Sequence, residues 1–230
     1  MRGPDLLWGG DVKFFHVPSN KFDGVIGGPP CKKFSSMTNI VRARYGESAV
    51  AENLIPEFER IVCQARPRWF LMENTRHAPL PQAHGYAISS LLLNNRSFGS
   101  PQNRVRRFSF GVCGDVSVSL LRHLHPLALE HARFERAVLA GHSGSGTGLK
   151  YSGRRKDGTH YEIKHKARMS IERASARSLK DDLELQGLPG DMLDHAPFTV
   201  KGKRQVVGNG VPLPMGRSIA LAVRKQLELL

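Results

Sequence analysis

Apolar residues fall along this chain in short runs separated by polar or glycine- and proline-rich stretches. Asp23-Gly24-Val25-Ile26 reads as a buried β-strand, and Gly27-Gly28-Pro29-Pro30-Cys31 stops it in an irregular loop. The next stretch, 32–44, is polar and basic with few periodic apolar positions, and reads as a mobile surface loop. Val50, Leu54, Phe58, Ile61 and Val62 then recur at helical spacing, which predicts a helix over 48–65. Pro67 ends it, and Trp69-Phe70-Leu71-Met72 reads as a second buried strand tipped by Glu73 and Asn74. Strand, helix, strand with polar groups at both strand tips is the pattern of a parallel βαβ unit.

Two more strands are expected over 86–94 and 104–112, joined by a loop at 97–101. The second opens on charges and alternates poorly. Leu185-Gln186-Gly187-Leu188-Pro189 reads as a helix end and turn. Val206-Val207-Gly208-Asn209-Gly210-Val211-Pro212 reads as a tight loop before a C-terminal helix over 214–229. The chain contains no internal repeats.

Charge changes the picture more than length does. The 230 residues carry a formal net charge of +14, a balance that points to a polyanionic partner, foremost nucleic acid. The segment 114–180 concentrates it, with 13 Lys/Arg against 6 Asp/Glu. Its run Gly144-Ser145-Gly146-Thr147-Gly148 lacks P-loop spacing and reads as a linker or a loop that approaches a nucleic-acid backbone. The 3 cysteines, Cys31, Cys63 and Cys113, form no C-x-x-C, so neither a zinc knuckle nor a disulfide framework is indicated. A reducing, intracellular setting fits them. No run of 18 apolar residues is present to suggest a membrane span. Met1-Arg2-Gly3-Pro4-Asp5 opens no signal-peptide h-region.

Cys31 stands out among these thiols. It follows a strand at its carboxyl end, where open α/β sheets place their chemistry. A lone cysteine is ordinarily a packing residue, but packing requires no rigid Gly-Gly-Pro-Pro approach.

Four blocks in order, Pro29-Pro30-Cys31, Glu73-Asn74, Gln102-x-Arg104-x-Arg106 and Gly208-Asn209-x-Val211, with Leu-Gln-Gly-Leu-Pro before the last, resemble the cytosine-C5 DNA methyltransferases. The resemblance implies an α/β fold with the Rossmann-like sheet of S-adenosylmethionine-dependent methyltransferases. A catalytic domain would comprise 1–113 and 181–230, and 114–180 would be a small target-recognition insert. It also implies a mechanism. Carbon 5 of cytosine is a poor nucleophile, so Cys31, as thiolate, adds to carbon 6 first. Lys32, Lys33, Arg104 and Arg106 would favour that thiolate by charge. Glu73 would protonate N3, and Asn74 would orient that carboxyl or the loop backbone. Arg104 would approach the ring carbonyl, while Arg106 would hold the loop or nearby phosphates. Carbon 5 would then take the methyl group from S-adenosylmethionine, and elimination of the carbon 5 proton and the Cys31 thiolate would restore the aromatic ring. The cytosine would be flipped out of double-stranded DNA, with Lys32, Lys33, Ser35, Arg42 and Arg44 closing on phosphates.

The sequence departs from the family's pattern at several points. Lys32 stands where Gln is usual, and Thr75 where Val is usual. Gly10-Asp11-Val12 resembles the block whose Asp contacts the adenine, so Asp11, Asn209 and Val211 are the implied cofactor residues. The family's Phe-x-Gly-x-Gly cofactor loop has no counterpart before Cys31. The expectation is therefore a sheet incomplete at the N-terminus, an unpaired apolar strand edge, weak or no binding of S-adenosylmethionine by this chain alone, and a second polypeptide, or an upstream coding segment omitted by the chosen start, that supplies the rest. Two competing readings stand beside a DNA methyltransferase: a DNA-binding remnant or partner subunit that does not methylate alone, and an RNA cytosine-C5 methyltransferase. A bacterial or phage-encoded cytoplasmic protein is expected, with restriction–modification among its possible roles.

Overall fold

The computed structural model describes residues 10–30, 32–34, 38–100, 102–124, 126, 152–154, 160–162 and 178–229. Four strands, β1 (Gly24–Gly27), β2 (Trp69–Thr75), β3 (Tyr86–Asn94) and β4 (Val105–Cys113), form one sheet in the order β1-β2-β4-β3. β1 and β2 are parallel, with Gly24 opposite Trp69 and Gly27 opposite Met72. β4 runs antiparallel to β2, so Glu73 faces Phe108 and Thr75 faces Arg106. The sheet is therefore mixed, with the expected parallel unit at one side.

The parallel pair needs a crossover, and α2 (Ile55–Ala65) supplies it. This helix buries Ile55, Phe58, Val62 and Ala65, one face at helical spacing, against a core that includes Phe70, Met72 and Ala78. Phe58 meets Phe70 edge-on with ring centroids 5.7 Å apart. The side chain at position 27 has no room: a Cβ there would lie 2.6 Å from the Phe58 ring. The helix begins at Ile55, later than the periodicity suggests, because Pro56 lacks an N–H and its ring would clash with a preceding helical carbonyl. It is accommodated in the first turn, where no such bond is required. Val50 and its neighbours leave the helical pattern, and only a short 3-10 turn forms at Glu47–Ala49.

The expectation of a loop over 32–44 is also corrected. A 3-10 turn at Lys32–Phe34 precedes helix α1 (Thr38–Tyr45). Arg42 and Arg44 sit in its last turn, where positive charge complements the helix dipole. Gly46, at φ 83°, closes it with its N–H on the Arg42 carbonyl. A helix this polar leaves little apolar periodicity to read.

The chain divides into two compact units, Met1–Leu92 with Arg106–Ser119, and Leu93–Val105 with Leu120–Leu230. Unit 1 holds β1, α1, α2, β2 and most of β3 and β4. Among its described residues, unit 2 includes the helices α3 (Leu179–Leu185), α4 (Val200–Asn209) and α5 (Leu213–Leu227), and a small antiparallel pair, β5 (Ser152–Arg154) with β6 (His160–Glu162). Ser178 and Asp181 form a reciprocal capping box on α3. Gly187, at φ 73°, makes the turn after it. The loop expected over 206–212 is partly helix, since α4 runs through Asn209 from a Thr199 N-cap. Gly208 inside it weakens the helical signal in the sequence, and the carbonyls at that end find side-chain partners described below.

Candidate active site

The carboxyl ends of β1 and β2 lie side by side, and they carry Gly28-Pro29-Pro30 and Glu73-Asn74. Cys31, Ser35 and the Lys32 side chain lie outside the described residues. The residues that lead to Cys31 are well anchored. Asn74 is 1% exposed, and its Nδ2 donates to the Pro29 carbonyl at 3.2 Å. Its Oδ1 accepts the Thr75 N–H at 2.8 Å. Of the two roles open to Asn74 in the sequence, its amide is thus bonded to the loop backbone.

Glu73 pairs with Arg106, Nε to Oε1 at 2.8 Å. The pairing follows from register: Phe108 is opposite Glu73, so Arg106 is the diagonal neighbour on the same face of the sheet. Both side chains are only partly exposed, at 19% and 17%. A Cβ on Gly28 would stand 3.4 Å from Glu73 Oε2, so the loop backbone runs beside the carboxylate. Unit 1 therefore joins a carboxylate, a guanidinium and the approach to Cys31.

Beside this lies an apolar groove of about 560 Å³, lined by residues that include Val12, Phe15, Val25, Ile26, Pro30 and Ile61. Asp11 caps the short 3-10 turn Val12–Phe14, which contributes Val12 to the groove, and its Oδ1 accepts the Lys13 N–H. β1 is the outer strand of the sheet among the described residues, and Ile26 on it is 72% exposed.

The basic candidates on α1 have local partners. Arg42 forms an ion pair with Glu47, which raises the guanidinium pKa and holds the Glu47 carboxyl below the usual range. Arg44 lies over the Tyr45 ring at 5.5 Å. Lys33 is exposed.

Arg104 makes two hydrogen bonds to backbone carbonyls. It belongs to unit 2, is 6% exposed, and its Nη2 donates to the carbonyls of Gly208 at 2.6 Å and Gly210 at 2.7 Å. The carbonyls at a helix C-terminus have no intrahelical partner, and a buried guanidinium supplies one here. Gln186 Nε2 takes the Val207 carbonyl at 2.9 Å, and the Gln186 backbone carbonyl accepts the Leu213 N–H at 2.8 Å. Ser100 Oγ donates to the Leu185 carbonyl, Gln102 N–H to Ser100 Oγ, and Asn95 Nδ2 to Gln102 Oε1. Thus Arg104 and Gln186, drawn from two separate sequence motifs, fix one backbone turn, while Gln102 bonds to Ser100 and Asn95. Asn209 and Val211 flank Gly210 in it with exposed side chains. The positioning work of Gln186, Asn95 and Ser100 was not read from the sequence. Gln186 lay within a noted motif, whereas nothing marks Asn95 or Ser100.

No helix among the described residues is long and apolar enough to cross a membrane, and they contain no group of three or more His, Cys, Asp or Glu able to hold a metal. The described fold is similar to that of the Dnmt2 methyltransferase of S. pombe, with a TM-score of 0.52 and 13% identity over 90% of this chain and 78% of that one. In sequence, the chain is 34% identical over 97 residues to the type II methyltransferase M.HgiDI of Herpetosiphon aurantiacus, covering 38% of this chain and 30% of the relative. It is 35% identical over 104 residues to the type II methyltransferase M1.HphI of Haemophilus parahaemolyticus, covering 40% and 27%. The chain thus spans less than a third of the length of these two relatives. Residues 10–139, more than half of the chain, match the family described as C-5 cytosine-specific DNA methylase. The chain belongs to that family.

Proposed function

We propose that the chain carries the catalytic residues of a DNA cytosine-C5 methyltransferase, with Cys31 as nucleophile. The observation that carries this reading is the junction of Asn74, bonded to Pro29, with the Glu73–Arg106 pair beside Gly28. Asn74 holds the backbone two residues before Cys31, so the thiol starts from a fixed approach. Glu73 in its protonated form donates that proton to N3 as carbon 6 is attacked, and is left as the carboxylate that Arg106 pairs with. Arg106, already on that carboxylate, is the arginine near the pyrimidine and stabilises charge that develops on its carbonyl. Arg104 acts at a distance by holding the turn at Gly208 and Gly210. This exchanges the two arginine roles that motif order suggests.

The groove suits the adenine of S-adenosylmethionine, since apolar walls from Val12, Phe15 and Ile61 match a flat heteroaromatic ring, and Asp11, next in sequence to Val12, is the proposed adenine contact. When bound, the cofactor supplies the methyl group. Asn209 and Val211 are the proposed cofactor residues of unit 2. Lys33, Arg42 and Arg44, with Lys32 and Ser35, meet DNA phosphates, and 114–180 reads the target sequence. The exposed edge of β1 supports a further proposal, that a strand from a second polypeptide completes the sheet and the cofactor site.

The test uses DNA containing 5-fluorocytosine, which traps the covalent adduct, together with radiolabelled S-adenosylmethionine. A labelled adduct that disappears in Cys31→Ser is expected. Absence of adduct with the chain alone and with any co-purifying polypeptide contradicts the reading and favours a DNA-binding remnant. An adduct on RNA but not on DNA of the same sequence moves the substrate to RNA.

A further inference from the structure

The turn that carries Asp11 is short and exposed, so its rigidity has to come from elsewhere. Within itself it holds Phe14 N–H on the Asp11 carbonyl at 3.0 Å and Phe15 N–H on the Val12 carbonyl at 3.1 Å. Lys13 also pairs with Glu52 at 2.6 Å, but both side chains are well exposed, at 39% and 62%, and such pairs contribute little. The stronger tie comes from α2. Arg60 Nη2 donates to the Val12 carbonyl at 2.8 Å and its Nη1 to the Phe15 carbonyl at 3.0 Å.

The Arg60 fork is itself held. Its Nε donates to Glu57 at 2.7 Å, and Nη1 is shared with Gln64 Oε1 at 3.0 Å. The residue sits one helical turn from Glu57 and one from Gln64, so α2 aims the guanidinium before the turn arrives. Lysine, with a single point charge, cannot span both carbonyls in that geometry. Val12 and Phe15, whose carbonyls it takes, both line the apolar groove, and Ile61 on the next position of α2 lines it too.

We propose that Arg60 is a positioning residue for the cofactor: through the Val12 and Phe15 carbonyls it fastens the turn that presents Asp11 and forms one wall of the groove. The inference rests on the cofactor reading of that groove. Arg60 does not contact the reacting base and belongs to none of the sequence motifs.

Amide hydrogen exchange on the full chain, wild type against Arg60→Met and Arg60→Lys, tests the anchoring without cofactor. Exchange over residues 13–17 is expected to rise by about tenfold or more in Arg60→Met, the scale set by losing charge-assisted hydrogen bonds. Arg60→Lys should fall between, and strands β2 and β4 should keep their protection. Unchanged exchange over 13–17 overturns the proposal, as does an equal rise throughout unit 1, which marks a general role in stability. In the active assembly, Arg60→Met should raise KM for S-adenosylmethionine while kcat stays near wild type; a fall in kcat at unchanged KM contradicts the assignment. A wild-type assembly that methylates but ignores mutations of the groove lining refutes the cofactor reading itself, and the exchange result then still judges the anchoring separately.

Discussion

Two arginines two residues apart, Arg104 and Arg106, do different physical work. Arg106 faces a carboxylate at a strand end and stays partly open to solvent. Arg104 is buried and caps the C-terminus of α4 through two carbonyls. One guanidinium is shared with a side chain, the other with backbone carbonyls. A motif that repeats a residue type therefore does not repeat a set of partners.

That contrast can be broken most sharply at Glu73. Glu73→Gln keeps the shape of the side chain and removes its proton chemistry, so kcat should fall by roughly 10²–10⁴-fold, with unfolding by denaturant almost unchanged. Near wild-type turnover would remove Glu73 from the mechanism. Arg104→Met should do the reverse. It leaves the buried Gly208 carbonyl without its donor, at about 1–3 kcal/mol, and frees the more exposed Gly210 carbonyl at lower cost, so the loss should show as a lower denaturation midpoint and faster amide exchange over 206–213. A variant as stable as wild type would mean that the cap is dispensable.

How much of this was legible beforehand follows the same divide. The β1-α2-β2 unit could be read because its apolar runs are dense and Pro67 punctuates them. Glu73, Asn74 and the loop before Cys31 could be placed because all sit at carboxyl ends of neighbouring parallel strands. Helix α1 could not, since its residues are polar and its stop depends on Gly46 adopting φ 83°. The end of α4 was hidden for a different reason: its capping donor, Arg104, lies 104 residues earlier in the chain. Spacing within Gln-x-Arg-x-Arg says which residues share a strand face, not which distant carbonyl a guanidinium meets.

A smaller effect is expected at Asn74. Asn74→Ala removes one hydrogen bond to Pro29, about 1 kcal/mol, and should slow adduct formation more than it weakens DNA binding. Equal losses in both would mean that the loop is held by other contacts. The smallest effect concerns α1. Because Glu47 already offsets Arg42, Arg42→Ala should lower the salt dependence of DNA binding by less than one phosphate contact, whereas Glu47→Gln should strengthen binding slightly. A full unit of slope lost in Arg42→Ala would show that the pair opens on DNA.

The division of labour between the arginines is tested most directly by trapping 5-fluorocytosine adducts at saturating S-adenosylmethionine with Arg106→Lys and Arg104→Lys, each against wild type in the same active assembly. Arg106→Lys is expected to lose most of the adduct-forming rate, whereas Arg104→Lys, once cofactor is saturating, should form the adduct at close to the wild-type rate. Rapid trapping in Arg106→Lys together with none in Arg104→Lys would contradict this division and return the ring carbonyl to Arg104.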